Sequence, residues 1–388
     1  MKSANSSRKR LNPLWAAALL LAAPAAAQVN PDPLGKTFEL PAVYPASWII
    51  AQDASFFHPN DGKFIVLDAS DDRQHARYKG MFNGSFVAQL ALAETRPEIY
   101  VVETFHSRGH RGVRTDVLTF YDKRTLAPAG EVVLPPKRAL VLPIRHAVQL
   151  VDNERLAVIF NLTPATSVSV VDVQQREFLG EIPIPGCSMV YPTGARGFSS
   201  LCADGGMLTT HLDEAGMLAS SERTAPFFDV DADALFEKPA IRQGIAWFPT
   251  FLGNVVAIDL SGDRPQVEPP WSLTEGEEGG WRPGGSQPTA MDSTGRLYVL
   301  MHPGGTEGTH KDPGVEVWVF DPARKARLAR LPLRLPAISI EVTRGNAPLL
   351  VATNINMNID VYGAQDGEFQ RTLTDFGQET PLALHGAR

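Results

Sequence analysis

Several things are scarce in this sequence, and each scarcity removes a class of function. After residue 27 no apolar run approaches the roughly 18 residues a membrane-spanning helix needs, so no membrane insertion is expected. Positive charge is in deficit, with a formal net charge of −7, which removes any general attraction to nucleic acid or anionic lipid. Extended helical periodicity is nearly missing: 32 glycines and 31 prolines interrupt short, β-branched apolar runs. The patterns HEXXH, GXSXG and a Walker loop do not occur, which leaves no metalloprotease helix, nucleophile elbow or phosphate cradle. Only two cysteines are present, Cys187 and Cys202. They fit one structural disulfide in an oxidising compartment, worth roughly 3 kcal/mol for a loop of about 15 residues. The alternatives, a zinc pair or a catalytic thiol, lack supporting ligands nearby.

What is present begins with a charged and then apolar N-terminus. Lys2, Arg8, Lys9 and Arg10 precede "LWAAALLLAAPAAA", which ends before Gln28. Residues 1–27 read as a secretory signal, leaving 28–388 as one exported domain with a poorly defined N-terminal segment. Loss of those four cations takes the formal charge from −7 to −11.

A unit then repeats: an apolar strand reaching Asp, a polar turn, and a second strand. The Asp falls at Asp68, Asp122, Asp172, Asp213, Asp259 and Asp321, and Gly363 takes its place in the last unit. The spacings are 54, 50, 41, 46, 62 and 42 residues. Units of that length, each made of several short strands, predict an all-β, seven-bladed β-propeller, because one blade cannot bury both of its faces alone. The longest spacing holds the Gly-rich acidic insertion "TEGEEGGWRPGGSQ" from Thr274 to Gln287, a loop suited to covering a surface or meeting a partner.

No catalytic, cofactor-binding or metal-ligating residue stands out on this chain. The densest polar stretch is "TFHSRGHRGVRTD", Thr104 to Asp116. Its His106 and His110 are four apart, but Gly109 and Gly112 argue against a helix and no carboxylate lies between the histidines. A solvated basic turn leading into a strand is the expectation. Trp48, Trp247, Trp271, Trp281 and Trp318 read as blade packing, with Trp271 and Trp281 as possible rim exceptions.

The same stretch carries a resemblance. Arg108, Arg111, Gly112, Arg114, Thr115 and Asp116 match an Arg-x-x-Arg-Gly-x-Arg-(Ser/Thr)-Asp pattern in the large subunits of quinoprotein amine dehydrogenases. Further matches follow in order: "LPPKRAL" at 134–140, "TPATSVSVVDV" at 163–173, "SGDRPQVEPPWSL" at 261–273, "WRPGG" at 281–285 and "MHPGGTEGTHKDPGVEVWVFD" at 301–321. "PATS", "PWSL" and "EGTHK" bring the chain nearer the aromatic amine dehydrogenase branch than the methylamine branch. The Cys187 and Cys202 pair also looks like a family disulfide.

The resemblance implies a periplasmic, non-catalytic large subunit in an α2β2 assembly. Its cofactor, tryptophan tryptophylquinone, and its catalytic base would sit on a separate small subunit. The reaction implied is oxidative deamination of a primary amine to an aldehyde, with electrons passing singly to a blue-copper protein of the azurin or amicyanin type. One residue carries over with a role: in "KGMFNGSF", Phe86 stands five residues after the Gly-Met pair, where the family has a phenylalanine lining the substrate channel. Phe82 is the neighbouring candidate. The small-subunit interface is expected on the loops near Phe86, with the Trp281 loop a weaker candidate, and Arg108, Arg111 and Arg114 are expected to fix loops or meet a partner. Two other readings are a binding or scaffold propeller that has lost its small subunit, and an enzyme with its own metal in the propeller channel, as in lactonase-like propellers.

Overall fold

In the computed structural model the described residues are 38–139, 141–377 and 379–387. The proposed signal segment, 1–27, lies outside them. The fold belongs to the unit Glu39–Arg388.

Short runs, many of them buried at every position, form six sheets among the described residues, with the strands paired antiparallel. Sheet 1 joins Trp48–Asp53, Lys63–Asp68 and Tyr78–Asn83 to the last strand of the chain, Pro381–Gly386. Sheet 2 runs Gln89–Leu92, Glu98–His106, Arg114–Asp122 and Pro128–Leu134. Sheet 3 begins at Val148–Val151, sheet 4 at Cys187–Pro192 and sheet 5 at Ala240–Arg242. Sheet 6 has eight strands and extends from Arg282–Pro283 to Phe369–Leu373.

The repeated Asp has a local cause. It ends the third strand of its unit, and its carboxylate accepts backbone N–H groups of the turn that follows: Arg124 (3.0 Å) and Thr125 (2.8 Å) at Asp122, and Gln174 and Gln175 (both 2.9 Å) at Asp172. The same capping recurs at Asp68, Asp213, Asp259 and Asp321.

The propeller architecture is as expected, but the count of seven separate blades is corrected. Five sheets stand as separate blades, and the remaining strands form one continuous eight-stranded sheet. The cause is the 17-residue strand Ala326–Val342, which pairs with Gly314–Asp321 through its first part and with Leu349–Asn354 through its last. No turn interrupts it, so the hydrogen-bond ladder passes from one half of the sheet into the other. The two halves still share a core, in which Tyr298, Leu300 and Val317 meet Ile340, Leu350 and Tyr362.

Adjacent sheets share apolar clusters all the way round. Phe64, Phe82 and Tyr121 join sheets 1 and 2, and Tyr100, Phe120 and Val171 join sheets 2 and 3. Ile49, Ile65 and Leu384 meet Val351 and Val361 where sheet 6 returns to sheet 1. Closure is thus made both by packing and by a ladder, with Ile49, Ile50 and Ala51 opposite Gly386, His385 and Leu384. Gln287 reinforces it: its amide donates to the carbonyls of Ile340 (2.7 Å) and Leu384 (3.0 Å) and accepts from the Leu384 N–H (3.0 Å). Cys187 and Cys202 lie opposite each other on sheet 4 and are joined by a disulfide.

Leu384 is fully buried in the closing strand, whereas Val133 is exposed on an outer strand. Leu384→Ala is expected to cost about 2–5 kcal/mol in urea unfolding. Val133→Ala should stay within about 0.5 kcal/mol of the parent.

Candidate functional site

The stretch from Thr104 to Asp116 is a hairpin of sheet 2. Its ladder places Thr104 opposite Asp116, Phe105 opposite Thr115 and His106 opposite Arg114. The tip is tight: Gly112 has φ +100, and a Cβ there would lie 2.4 Å from the Ser107 hydroxyl, which holds the Val113 N–H at 3.1 Å. Arg108 and Arg111 are exposed at this tip. Arg114 turns inward and forms a two-pronged pair with Asp116, at 2.8 Å and 2.7 Å.

Asp116 is fully buried and lies at the centre of a polar cluster. It accepts the Thr104 hydroxyl at 2.7 Å and the backbone N–H of Arg138 at 3.3 Å. The Arg138 side chain is itself only 3% exposed. Its Nε donates to Thr104 Oγ1 at 2.7 Å. Its two terminal nitrogens donate to the carbonyls of Ser85 (3.3 Å), Phe86 (2.5 Å), Val87 (3.0 Å) and Ala139 (3.4 Å). Burial pushes the Arg138 guanidinium down to about 9, against the pull of Asp116 and Glu103 and with the Arg114 charge adding to the burial effect. It therefore carries its charge at neutral pH.

These bonds clamp an unusual turn. Phe86 and Val87 are consecutive non-glycine residues with φ of +50 and +53. Each such conformation costs roughly 1–2 kcal/mol for an L-residue, so it persists only where its surroundings impose it. On the other side Glu103 accepts the Ser85 N–H at 3.0 Å, and the Phe86 N–H reaches the Pro59 carbonyl at 2.7 Å. Burial raises the Glu103 carboxyl above its ordinary range, opposed by the Thr119 and Tyr121 hydroxyls, the Ser85 N–H and Arg138.

The turn presents the Phe86 ring half-buried, 4.7 Å from the ring of His106 and tilted by 55° to it. Phe82 sits differently: it is 3% exposed and stacked on Phe64 at 4.9 Å, a core position. Phe57 in a neighbouring loop is 83% exposed, Phe105 in the strand Glu98–His106 is 45% exposed, and Val113 at the hairpin tip is 73% exposed. The loop carrying Phe57 is joined to the Phe86 turn by the Gly84 N–H, which meets the Gly62 carbonyl at 2.8 Å. The clamped Phe86 ring is thus held near segments that expose both these apolar side chains and the charged Arg108 and Arg111.

Elsewhere the sequence's candidates are built into the scaffold. Trp281 and Trp318 lie 5.1 Å apart, but Arg330 stacks on both at 4.7 Å and Glu316 holds the Trp318 N–H at 2.6 Å, a packed and braced pair. Glu277, in the acidic insertion, pairs with Arg327 and Arg330 and fastens that loop to the outer part of sheet 6. An axial cavity of about 330 Å³ is lined by the inner strands, with Arg145 bonded to Glu341 at 2.5 Å and to the Thr289 carbonyl at 3.0 Å. Among the described residues no group of three or more His, Cys, Asp and Glu side chains comes together to hold a metal, and no helix is long and apolar enough to cross a membrane.

Sequence reasoning placed Phe86 and the hairpin but not the arginine that joins them. Arg138 sat inside the matched segment "LPPKRAL" without a role. Its signal is weak, because an arginine after Pro-Pro-Lys in a connecting loop reads as a solvated residue. Glu103 left no usable signal in its strand.

Fold and site together define a propeller whose buried charged cluster holds a loop that carries one half-buried aromatic ring. Comparison with known sequences narrows this class. The profile of the family described as methylamine dehydrogenase heavy chain matches residues 46–385, and the chain belongs to that family. It is 27% identical over 337 residues to the methylamine dehydrogenase heavy chain of Paracoccus versutus, covering 85% of this chain and 77% of that one. Against the heavy chain of Methylophilus methylotrophus it is 24% identical over 379 residues, covering 94% and 92%. Among solved structures, a candidate 6-phosphogluconolactonase of Bacteroides fragilis NCTC 9343 superposes with a TM-score of 0.57 at 12% identity, covering 91% of this chain and 99% of that one. A dihydro-heme d1 dehydrogenase gives 0.53 at 14% identity, covering 87% and 66%. At such identities these two speak for the fold alone.

Two outcomes test the cluster. Asp116→Ala leaves Arg138 and Arg114 without their shared carboxylate and is expected to cost about 3–5 kcal/mol in denaturant unfolding. Glu103 has a folded-state value above its unfolded one, so the folded protein holds that proton more tightly. Its contribution to stability is fully present below about 4.5 and is lost as pH rises through the higher folded value. A Glu103→Gln variant, unable to ionise, should therefore gain on the parent as pH is raised through that window in parallel melts.

Proposed function

We propose that the chain is the non-catalytic large subunit of a periplasmic amine dehydrogenase that converts primary amines to aldehydes, exported by residues 1–27. Family membership supports the subunit assignment. The single observation that carries the finer reading is the Phe86 ring, held half-buried on a clamped turn near the exposed Phe57 and Val113.

On this reading the surface around Phe57, Phe86, Phe105 and Val113 docks a small subunit, two of each chain forming an α2β2 assembly. An obligate contact of this kind buries more than roughly 2,000 Å² and is apolar at its centre. The partner's tryptophan tryptophylquinone supplies an electrophilic carbonyl for the amine, and a blue-copper protein of the azurin or amicyanin type receives the electrons. This chain's own residues bind, orient and exclude water. Phe86 narrows the approach and makes it apolar, so that amine side chains are selected by width and by the water they shed. The ring of His106 backs Phe86 on one side.

The aromatic-branch segments "PATS", "PWSL" and "EGTHK" favour aromatic amines as substrates, whereas the relatives named above are methylamine dehydrogenase chains. Phe86→Ala, assayed in the complete complex, separates these cases. We expect the kcat/KM ratio of benzylamine to methylamine to change about 10-fold, the scale of one altered apolar contact, with subunit assembly retained. An unchanged ratio across short aliphatic and aromatic amines rules out the channel role.

A further inference from the structure

We infer that Arg138, which does not reach the surface at Phe86, is the positioning residue of the channel: its guanidinium fixes the backbone of Ser85, Phe86 and Val87 and thereby the direction of the Phe86 ring. The inference rests on the channel role proposed for Phe86. Three observations carry it.

First, the donor geometry is fully used. The five N–H groups of a guanidinium match five acceptors: Thr104 Oγ1 and the carbonyls of Ser85, Phe86, Val87 and Ala139. Three of those carbonyls belong to consecutive residues, so one rigid planar group spans the turn. A lysine ammonium has three donors and no plane, and cannot bridge the same set.

Second, the turn belongs to no ladder: besides Arg138 its backbone meets the Thr104 N–H, at the Ser85 carbonyl (3.4 Å), and the Pro59 carbonyl, at the Phe86 N–H (2.7 Å). Phe86 lies between the strands Tyr78–Asn83 and Gln89–Leu92, outside both ladders, and its own φ and that of Val87 are positive. Rotating the Phe86 carbonyl off Arg138 would change the torsions on either side of it and swing the ring away from His106. Misplacement by about 1 Å at a channel wall alters which substrates are oriented for reaction.

Third, Arg138 is itself anchored. Thr104 joins its Nε to Asp116, and Arg114 donates to the Arg138 carbonyl at 3.2 Å as well as to Asp116. The hairpin motif thus reaches the channel ring through one buried side chain.

The test is a cycle of variants in the complete complex: Arg138→Lys, Phe86→Ala and the double variant, with kcat and KM measured for methylamine, butylamine, benzylamine and 2-phenylethylamine. Arg138→Lys is expected to change the benzylamine to methylamine ratio of kcat/KM about 5-fold or more, in the direction given by Phe86→Ala and with the larger part in KM. Adding Arg138→Lys to Phe86→Ala should change the ratio no further. A general structural role would instead lower kcat/KM for all four amines by one factor, and that result overturns the inference while leaving the channel role intact if Phe86→Ala still shifts the ratio. A flat response to Phe86→Ala overturns both. Should Arg138→Lys fail to assemble, Thr104→Val, which removes the Nε acceptor, takes its place in the same cycle and its ratio decides.

Discussion

A buried guanidinium is the constraint around which this chain's candidate site is arranged. Taking the Arg138 charge out of water carries a penalty of several kcal/mol, and such a charge persists only where hydrogen bonds and an opposite charge surround it. Asp116 supplies the charge and five acceptors supply the bonds. Asp116 in turn is shared with Arg114 and Thr104. The hairpin, the connecting loop after sheet 2 and the turn before it therefore hold one another, and the visible product is one aromatic ring presented at a fixed angle.

The propeller makes this arrangement possible. Inter-sheet clusters run the whole way round and the last strand closes on the first, so no blade can tilt without opening its neighbour's core. Loops mounted on such a ring can be short, strained and still well placed. That suits the role proposed for the chain, which is physical: shaping an approach, drying it and offering a surface to a partner.

Much of the fold was legible because its signals are local. The Asp at each third-strand end is read directly, since an Asx turn needs that carboxylate whatever lies further away. Among the described residues the six Asp hairpins are present, as is the seventh, in which Gly363 takes the Asp place. The number of separate blades was not legible, because it depends on whether the chain turns between Ala326 and Val342, and a continuous strand there merges two halves into one ladder. Phe86 was singled out through a motif; it is half-buried on the turn, whereas Phe82 is a core residue. Arg138 was not legible as a clamp. Three of its five acceptors are backbone carbonyls about 50 residues upstream, and a carbonyl leaves no trace in a sequence. The glycines of the 104–116 hairpin marked a turn rather than a ligand-bearing helix, and in it His106 packs on the Phe86 ring while His110 lies exposed at the tip.

The central claim is that this chain works by holding a quinone-bearing partner rather than by chemistry of its own. Purifying the exported chain from its native source under non-denaturing conditions, and recording its absorbance before and after adding a primary amine, tests that claim most directly. The account predicts co-elution with a small chain in equal amount and a quinone absorption band that bleaches on reduction by the amine. Elution of the chain alone, with a stoichiometric metal and no such band, would contradict it.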